Sequence, residues 1–225
     1  MTWLVECIYC GHFLYHLNDG RIKCSLCHKK NSKEKINKTI TLIYAFINNE
    51  SALYVSKRLN ISYISTSKYY KTFRELCAKI SEDEYEKVRG LKCEYEEYFY
   101  LESSKKQKDA VFDAYNFLTF DYENHIYTIM MPSLRKYKHQ FLEDNVEDAY
   151  IDEFSKFKRD AKLIKVSNYF NNIVQFWEYF EKSILIYKGI NAQSFAYFLK
   201  EFEFKYNHTK DEAIELLIKS YFKST

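Results

Sequence analysis

Proline and glycine are scarce, with one Pro and four Gly in 225 residues. This composition excludes collagen-like repeats and long Pro- or Gly-rich linkers, and it leaves a chain of ordinary globular composition. Long apolar runs are also absent, so no segment is expected to span a bilayer. The first residues, MTWLVECIYCGH, lack a basic stretch before an apolar one, which argues against a signal peptide. We therefore expect a cytoplasmic protein without a membrane segment.

Charge is distributed unevenly along the chain. Residues 1–90 carry a net +6 and residues 91–225 a net −3, within a total of +3. A basic N-terminal part and a mildly acidic C-terminal part indicate that the N-terminal part faces nucleic acid and that the rest of the chain has another role. The many aromatic residues, 22 Tyr and 18 Phe, are typical of AT-rich coding, so a single Tyr carries little information.

Four of the six cysteines form two Cys-x-x-Cys pairs, Cys7 with Cys10 and Cys24 with Cys27. Each pair can aim two thiolates at one point, and four thiolates suit tetrahedral Zn²⁺. The alternative is four unliganded thiols, but doubled spacing of this kind in a cytoplasmic chain favours metal. The pattern predicts a zinc ribbon over residues 1–30.

This zinc is expected to be structural, because four thiolates fill every position of a tetrahedral ion. The nearby histidines His12, His16 and His28 then have no role as ligands. Cys77 and Cys93 fit no metal spacing and are interpreted as packing residues.

Residues 36–82 have the pattern of a helix-turn-helix. One helix places Ile40, Ile43, Tyr44 and Ile47 on a single face. A short helix follows from a Ser51 N-cap to Leu59, and Asn60 can take the left-handed conformation that ends it. The next helix has apolar positions at Ile64, Phe73, Leu76 and Ile80.

A polar and basic segment opens that last helix, where a recognition helix would meet base edges and phosphates. The predicted DNA-binding residues are Ser65, Thr66, Ser67, Lys68 and Lys71. The alternative is an ordinary three-helix cluster whose polar residues are only solvated. The adjacent zinc ribbon and the basic charge of the front favour DNA binding.

The second half alternates in a way that predicts strands followed by helices. Strands are expected in LKCEYEEYFYLE, with Glu94, Glu96 and Tyr98 on one face, and then in DAVFDAYNFLTF, ENHIYTIMMPS and DNVEDAYIDEF. Helices are expected at about 168–187, 192–206 and 209–222. Strands first, helices last and acids at the strand ends fit an α/β domain, an RNase H-like mixed sheet with flanking helices, over residues 91–225.

Five segments in order resemble the ISXO-like DDE transposases of small bacterial insertion sequences, and the resemblance covers nearly the whole chain. CEYEEYF is similar to that family's E-x-D-E-x-Y, and AVFDAYNFLTFDYENHIYTIMMPS to its hairpin ending in Y-T-x-x-x-P. AYIDEFSKF resembles Y-T-D-x-Y-x-x-Y. NNIVQFWEYFEKSILIYKGI resembles N-x-I-E-N-F-W followed by a basic helix and Y-x-G. FAYFLKEFEFKYNH resembles the closing Y-L-K-E-x-E-W-R-x-N.

The resemblance implies two-metal DNA strand transfer by Asp, Asp and a third acidic residue, with Mg²⁺ or Mn²⁺. Carried across, the second Asp is Asp152 and the first falls on Glu96, whose extra methylene shifts the carboxylate outward. The third falls on Val174, which cannot bind a metal. Glu178 could replace it only if the helix slid by one turn, about 5.4 Å. A position seven residues after Val174, commonly Lys in the family, is Glu181 here.

Two hypotheses follow from these residues. The first is a metal-dependent transposase that uses Glu96, Asp152 and Glu178 and cuts and joins the DNA at transposon ends. The second is a transposase-derived DNA-binding protein that keeps the zinc ribbon and helix-turn-helix but has lost its chemistry. The family resemblance implies double-stranded DNA as partner and self-association into a homo-oligomer for either one.

Overall fold

The computed structural model describes residues 6–101, 112, 114–133, 171–187 and 189–224. These residues form six helices and two three-stranded antiparallel sheets, so the predicted mixed α/β class is confirmed. The RNase H-like and helix-turn-helix assignments stay predictions. The strands are β1 Leu14–His16, β2 Ile22–Cys24, β3 Lys30–Asn31, β4 Glu94–Tyr100, β5 Tyr115–Tyr122 and β6 His125–Met130. The helices are α1 Lys33–Ile47, α2 Ala52–Arg58, α3 Tyr63–Val88, α4 Asn172–Ile184, α5 Ala192–Asn207 and α6 Lys210–Ser224.

The chain divides into two compact units. The first consists of Met1–Glu84 and Ser183–Thr225, and the second of Tyr85–Lys182. The sequence analysis grouped residues 183–225 with the strands of the second half, whereas in the structure these residues pack with the front of the chain. Within the described part of the chain, no helix is both long and apolar enough to cross a membrane.

Local signals in the sequence set the bounds of the first three helices. Ser32 caps α1, because its hydroxyl accepts from the backbone N–H of Lys35 at 3.3 Å. Ser51 caps α2 in the same way through Tyr54 at 3.2 Å, as predicted. Asn60 has a φ of 50°, so the predicted left-handed residue lies in the turn between α2 and α3.

The core of the first unit is assembled from segments distant in sequence. Ile22 of β2, Ile43 of α1, Phe73 of α3 and Leu217 of α6 belong to one buried cluster. Each of these four side chains is at most 1% exposed. The short ribbon therefore packs against helices from both ends of the chain. These helices supply the apolar surface that a ribbon of this size lacks.

A buried ion network lies among α1, α3 and α5. The carboxylate of Glu201, which is fully buried, accepts from Arg74 Nε at 2.6 Å, Lys205 Nζ at 2.5 Å and the Tyr187 hydroxyl at 2.8 Å. Lys205 Nζ also donates to the backbone carbonyl of Phe46 at 2.7 Å, near the C-terminal end of α1. The same carbonyl accepts from the backbone N–H of Asn49 at 3.1 Å, so Lys205 adds a second donor at this end of the helix.

The electrostatics of Glu201 follow from this geometry. Burial raises the pKa of a carboxyl, but Lys205 and Arg74 outweigh burial here and hold the pKa of Glu201 below its ordinary value. The Arg74 guanidinium also lies 3.9 Å from the centre of the Phe198 ring, which gives the cation a second favourable contact. The Glu201 carboxylate is therefore ionised at neutral pH, and its charge is balanced by Arg74 and Lys205 and not by solvent.

The second unit contains an antiparallel meander of β4, β5 and β6 with α4 against one face. Register places Glu96 opposite Thr119 and Thr119 opposite Thr128 across the three strands. The indole N–H of Trp177 on α4 donates to the Thr119 hydroxyl at 2.9 Å, and both groups are buried. Three predicted strands and all three predicted late helices are thus confirmed, while the fourth strand, in DNVEDAYIDEF, lies outside the described residues.

We expect Glu201→Gln to destabilise the protein by about 3–5 kcal/mol, because the change leaves Arg74 and Lys205 buried without a compensating charge. Urea unfolding followed by circular dichroism measures this free energy. A matched control is Glu215→Gln, since Glu215 forms an i,i+4 pair with Lys219 that is more than half exposed. That change is expected to cost less than about 0.5 kcal/mol. Equal losses for the two variants would contradict a special role for the buried network.

Candidate functional site

The four predicted cysteines converge on one point. The sulfur atoms of Cys7, Cys10, Cys24 and Cys27 all lie within 4.8 Å of one another. Cys7 Sγ is 3.6 Å from Cys27 Sγ, and Cys10 Sγ is 3.4 Å from Cys24 Sγ. A tetrahedral zinc ion with bonds of about 2.3 Å requires sulfurs about 3.8 Å apart. The cluster therefore has the size and donor set to bind a metal such as zinc, as predicted.

Two backbone turns of the same design build this cluster. In the first, Cys7 N–H donates to the His12 carbonyl at 2.7 Å, and in the second Cys24 N–H donates to the Lys29 carbonyl at 3.2 Å. The residue after each pair has positive φ, 77° at Gly11 and 58° at His28. Gly adopts this conformation without strain, while His does not, so the second turn is the more strained one.

The thiols differ in their readiness to ionise. Burial raises the pKa of Cys7 to about 12. Burial also acts against ionisation of Cys24, but backbone N–H groups of Cys27 and Leu26 point at its sulfur, each at 3.4 Å, and its pKa is lowered to about 6. A thiolate is the form that binds metal, and two backbone N–H groups already point at the Cys24 sulfur where that charge would form.

The ribbon is fixed to the helices of the first unit. The Tyr9 hydroxyl donates to Asn31 Oδ1 at 3.0 Å, and its ring meets Phe222 of α6 edge-on, with centroids 5.8 Å apart. Lys29 Nζ lies 4.1 Å from the centre of the same ring. The metal cluster therefore supports a ribbon that is itself part of the first unit's packed surface.

The predicted DNA-binding residues of α3 do not all face outward. Lys68 and Lys71 are exposed, as expected for side chains that meet phosphates. Thr66 is fully buried, and its hydroxyl donates to the backbone carbonyl of Ser62 at 3.2 Å. The hydroxyl is therefore enclosed by the helix and the core in this structure, which does not favour the predicted contact with base edges.

The two serines beside Thr66 differ in their surroundings. The Ser65 hydroxyl accepts from the Ser62 hydroxyl at 3.3 Å, in an exposed pair at the N-terminal cap of α3. The Ser67 oxygen is itself buried although the residue is partly exposed. Of the two, only Ser65 presents its hydroxyl at the surface.

Two apolar residues occupy the outward positions instead. Tyr63 is 55% exposed and Ile64 is 67% exposed. The sequence pattern groups Ile64 with the apolar positions of this helix, but its exposure puts it with Lys68 and Lys71, at i, i+4 and i+7 of one helix face. The spacing of Thr66, Tyr70, Phe73 and Cys77, which are among the buried positions of α3, is the signal that marks the opposite, inward face.

The second predicted site lies between β4 and α4. Glu96 Oε1 accepts from Asn171 Nδ2 at 3.2 Å, and the same Asn171 accepts from the Val174 N–H through Oδ1 at 3.0 Å. Asn171 therefore caps α4 and holds it beside Glu96. This contact brings the strand position and the helix position that the family resemblance pairs into one neighbourhood.

The helix supplies no carboxylate at the expected point. Val174 is fully buried, and Glu178 is partly buried. Glu181 reaches the sheet instead, because its carboxylate accepts from the Tyr98 hydroxyl. Burial and this bond raise the pKa of Tyr98. Asp152 lies outside the described residues, and within those residues the cysteine cluster is the only group of three or more potential ligands close enough to hold a metal.

We expect the purified protein to bind a single zinc ion, and Cys24→Ser to reduce its affinity strongly because a thiolate ligand is lost. Zinc content measured by atomic absorption tests this. Cys93→Ser is the matched control, since Cys93 lies outside the cluster and should leave zinc unchanged. Chelation should raise hydrogen exchange in residues 6–31 and leave β4–β6 unaffected. Full zinc binding by Cys24→Ser would contradict the four-cysteine site.

Comparison with known proteins returned no matching family, no matching curated protein and no matching solved structure. The transposase resemblance is therefore carried by the five sequence segments alone.

Proposed function

We propose that this chain is a transposase-like protein that binds double-stranded DNA through the first unit, with a structural Zn²⁺ held by Cys7, Cys10, Cys24 and Cys27. The observation that carries the proposal is the exposed basic face of α3, where Lys68 and Lys71 stand about one turn apart in the same compact unit as the four-cysteine cluster. The net +6 of residues 1–90 favours a polyanionic partner.

The three-helix arrangement supports this binding mode. A short helix α2, a turn through Asn60 and a longer helix α3 follow the helix-turn-helix order, in which the second of the pair enters the major groove. Lys57 and Arg58 in the last turn of α2 add positive charge to the same segment. Two ion pairs oppose the trend, Arg58 with Glu50 at 2.6 Å and Lys71 with Glu75 at 3.9 Å. Lys57 and Lys68 have no ion pair of this kind among the described residues, and solvent-exposed pairs such as Lys71 with Glu75 are weak.

For the chemistry of the second unit, we propose DNA binding without strand transfer. The family resemblance places a metal-binding acid at Val174, and that side chain is buried in packing against the sheet. Two carboxylates of β4 and α4 have partners within the second unit, Glu96 with Asn171 and Glu181 with Tyr98. A role as regulator or remnant of an insertion sequence, acting as a homo-oligomer on its ends, fits this loss of a ligand.

An active enzyme is the second candidate. One observation favours it: the Asn171 cap places the N-terminal end of α4 next to Glu96, so the strand and helix of the expected catalytic pocket are adjacent. If Asp152 joins Glu96, Mg²⁺ or Mn²⁺ could be held by these carboxylates, with Glu178 as the third acid.

DNA binding is tested with Lys68→Ala. We expect weaker binding to a short duplex and a plot of log affinity against log salt that is shallower by about one charge, because one phosphate contact is lost. Fluorescence anisotropy across a salt series measures both quantities. Lys219→Ala on α6 is the control and should change neither. An unaltered salt slope for Lys68→Ala would remove this residue from the interface.

Catalysis is tested with supercoiled plasmid in Mg²⁺ or Mn²⁺. We expect the protein to nick DNA no faster than its Asp152→Ala variant, since the third acidic ligand is missing. Gel electrophoresis of plasmid forms over time gives the rates. Nicking that depends on the metal and is abolished by both Asp152→Ala and Glu96→Gln would instead establish the enzyme.

A further inference from the structure

The outward face of α3 is apolar at its start and basic further along. Ile64, Lys68 and Lys71 share one face, and Tyr63 stands beside Ile64. Ile64 is 67% exposed and Tyr63 is 55% exposed, so this stretch of the helix offers apolar surface directly beside positive charge. The lysines next to it determine the sign of the partner's charge.

Two of the three hydroxyl residues at the start of α3 are closed to an external partner. Thr66 is fully buried, and the Ser67 oxygen has almost no exposed surface. The Ser65 hydroxyl lies at the surface, where it accepts from the Ser62 hydroxyl in the N-terminal cap. Tyr63 and Ile64 are the large apolar side chains exposed at this end of the helix.

Only one feature of the major groove suits an aliphatic side chain. Each base pair there presents hydrogen-bond donors and acceptors, and thymine alone adds an apolar C5-methyl group. An exposed Ile side chain can pack on the thymine methyl group while the lysines on the same helix face bind the phosphates of the backbone. A partner protein with an apolar patch would match Ile64 but not the adjacent pair Lys68 and Lys71.

We propose that Ile64 is a specificity residue that contacts thymine methyl groups in the major groove, so that the substrate class is A·T-rich duplex DNA. Tyr63 packs over the neighbouring sugar or methyl group, and Lys68 and Lys71 bind phosphates. This inference rests on the proposed duplex binding and goes further by naming which base feature is read and by which side chain.

The test compares two synthetic duplexes, alternating dA·dT and the same sequence with deoxyuridine in place of thymidine. The probes have the same charge and the same hydrogen-bonding groups and differ at the C5-methyl. We expect the full-length zinc-loaded protein to bind the thymine duplex about three- to fivefold more tightly for each methyl group buried. Fluorescence anisotropy at fixed salt measures the ratio of the two affinities.

The variants assign that ratio to a side chain. Ile64→Ala should bring the ratio close to one, and its folding should be little affected because the residue is mostly exposed. Lys68→Ala should weaken both complexes equally and keep the ratio. Leu185→Ala, which alters an aliphatic residue of similar exposure at 65%, should behave as wild type.

The outcomes separate this inference from the proposed function. Binding to both duplexes with a ratio of one overturns methyl readout and leaves duplex binding intact. A ratio above one that persists in Ile64→Ala overturns the assignment to this residue. No binding of wild type to either duplex overturns the proposed function itself, and with it this inference.

Discussion

The carboxylate of Glu201 is the group on which the geometry of the first unit depends. It is fully buried and holds two cations from different directions, Arg74 of α3 and Lys205 of its own helix. Lys205 in turn donates to the Phe46 carbonyl near the end of α1. Because a buried charge tolerates no misalignment of its partners, three helices are fixed in mutual position by one network.

This constraint determines which face of α3 meets solvent. Arg74 must point toward Glu201, and Phe73, Tyr70 and Thr66 lie on the same buried side of the helix. The opposite side, with Ile64 and Lys68, then faces outward because residues three or four apart share a face. The ion pair of Arg74 with Glu201 lies on the inner side of α3. The surface proposed to read DNA lies on the opposite side of the same helix and is exposed for that reason.

In the second unit, the buried face of α4 packs against strands β4 and β5. Trp177 donates to Thr119 and stacks on Tyr98 at a centroid distance of 4.8 Å, and Val174 is buried on the same helix. Every polar group in this set has a partner within the sheet–helix contact. A carboxylate at position 174 would need a metal ion or another cation to be stable at such burial, whereas Val is buried there without a desolvation cost.

By itself, the sequence determined the features that depend on near neighbours. The spacing of the cysteines predicted their convergence, Ser51 and Asn60 marked the ends of α2, and alternation in CEYEEYF placed Glu96 and Tyr98 on one face of a strand. These features follow from local backbone geometry, which the order of residues specifies directly.

Tertiary structure alone decided the rest. The burial of Glu201 and Lys205 was not visible in the sequence, because charged residues are ordinarily solvated and only an opposite charge brought from a distant segment allows them to be buried. The packing of residues 183–225 with the front of the chain could not be seen in the sequence either, because it depends on contacts between segments distant in the chain. The rotation of α3, which buried Thr66 and exposed Ile64, followed from these long-range contacts, since a helix with apolar residues on more than one side has no unique inward face until its partners are in place.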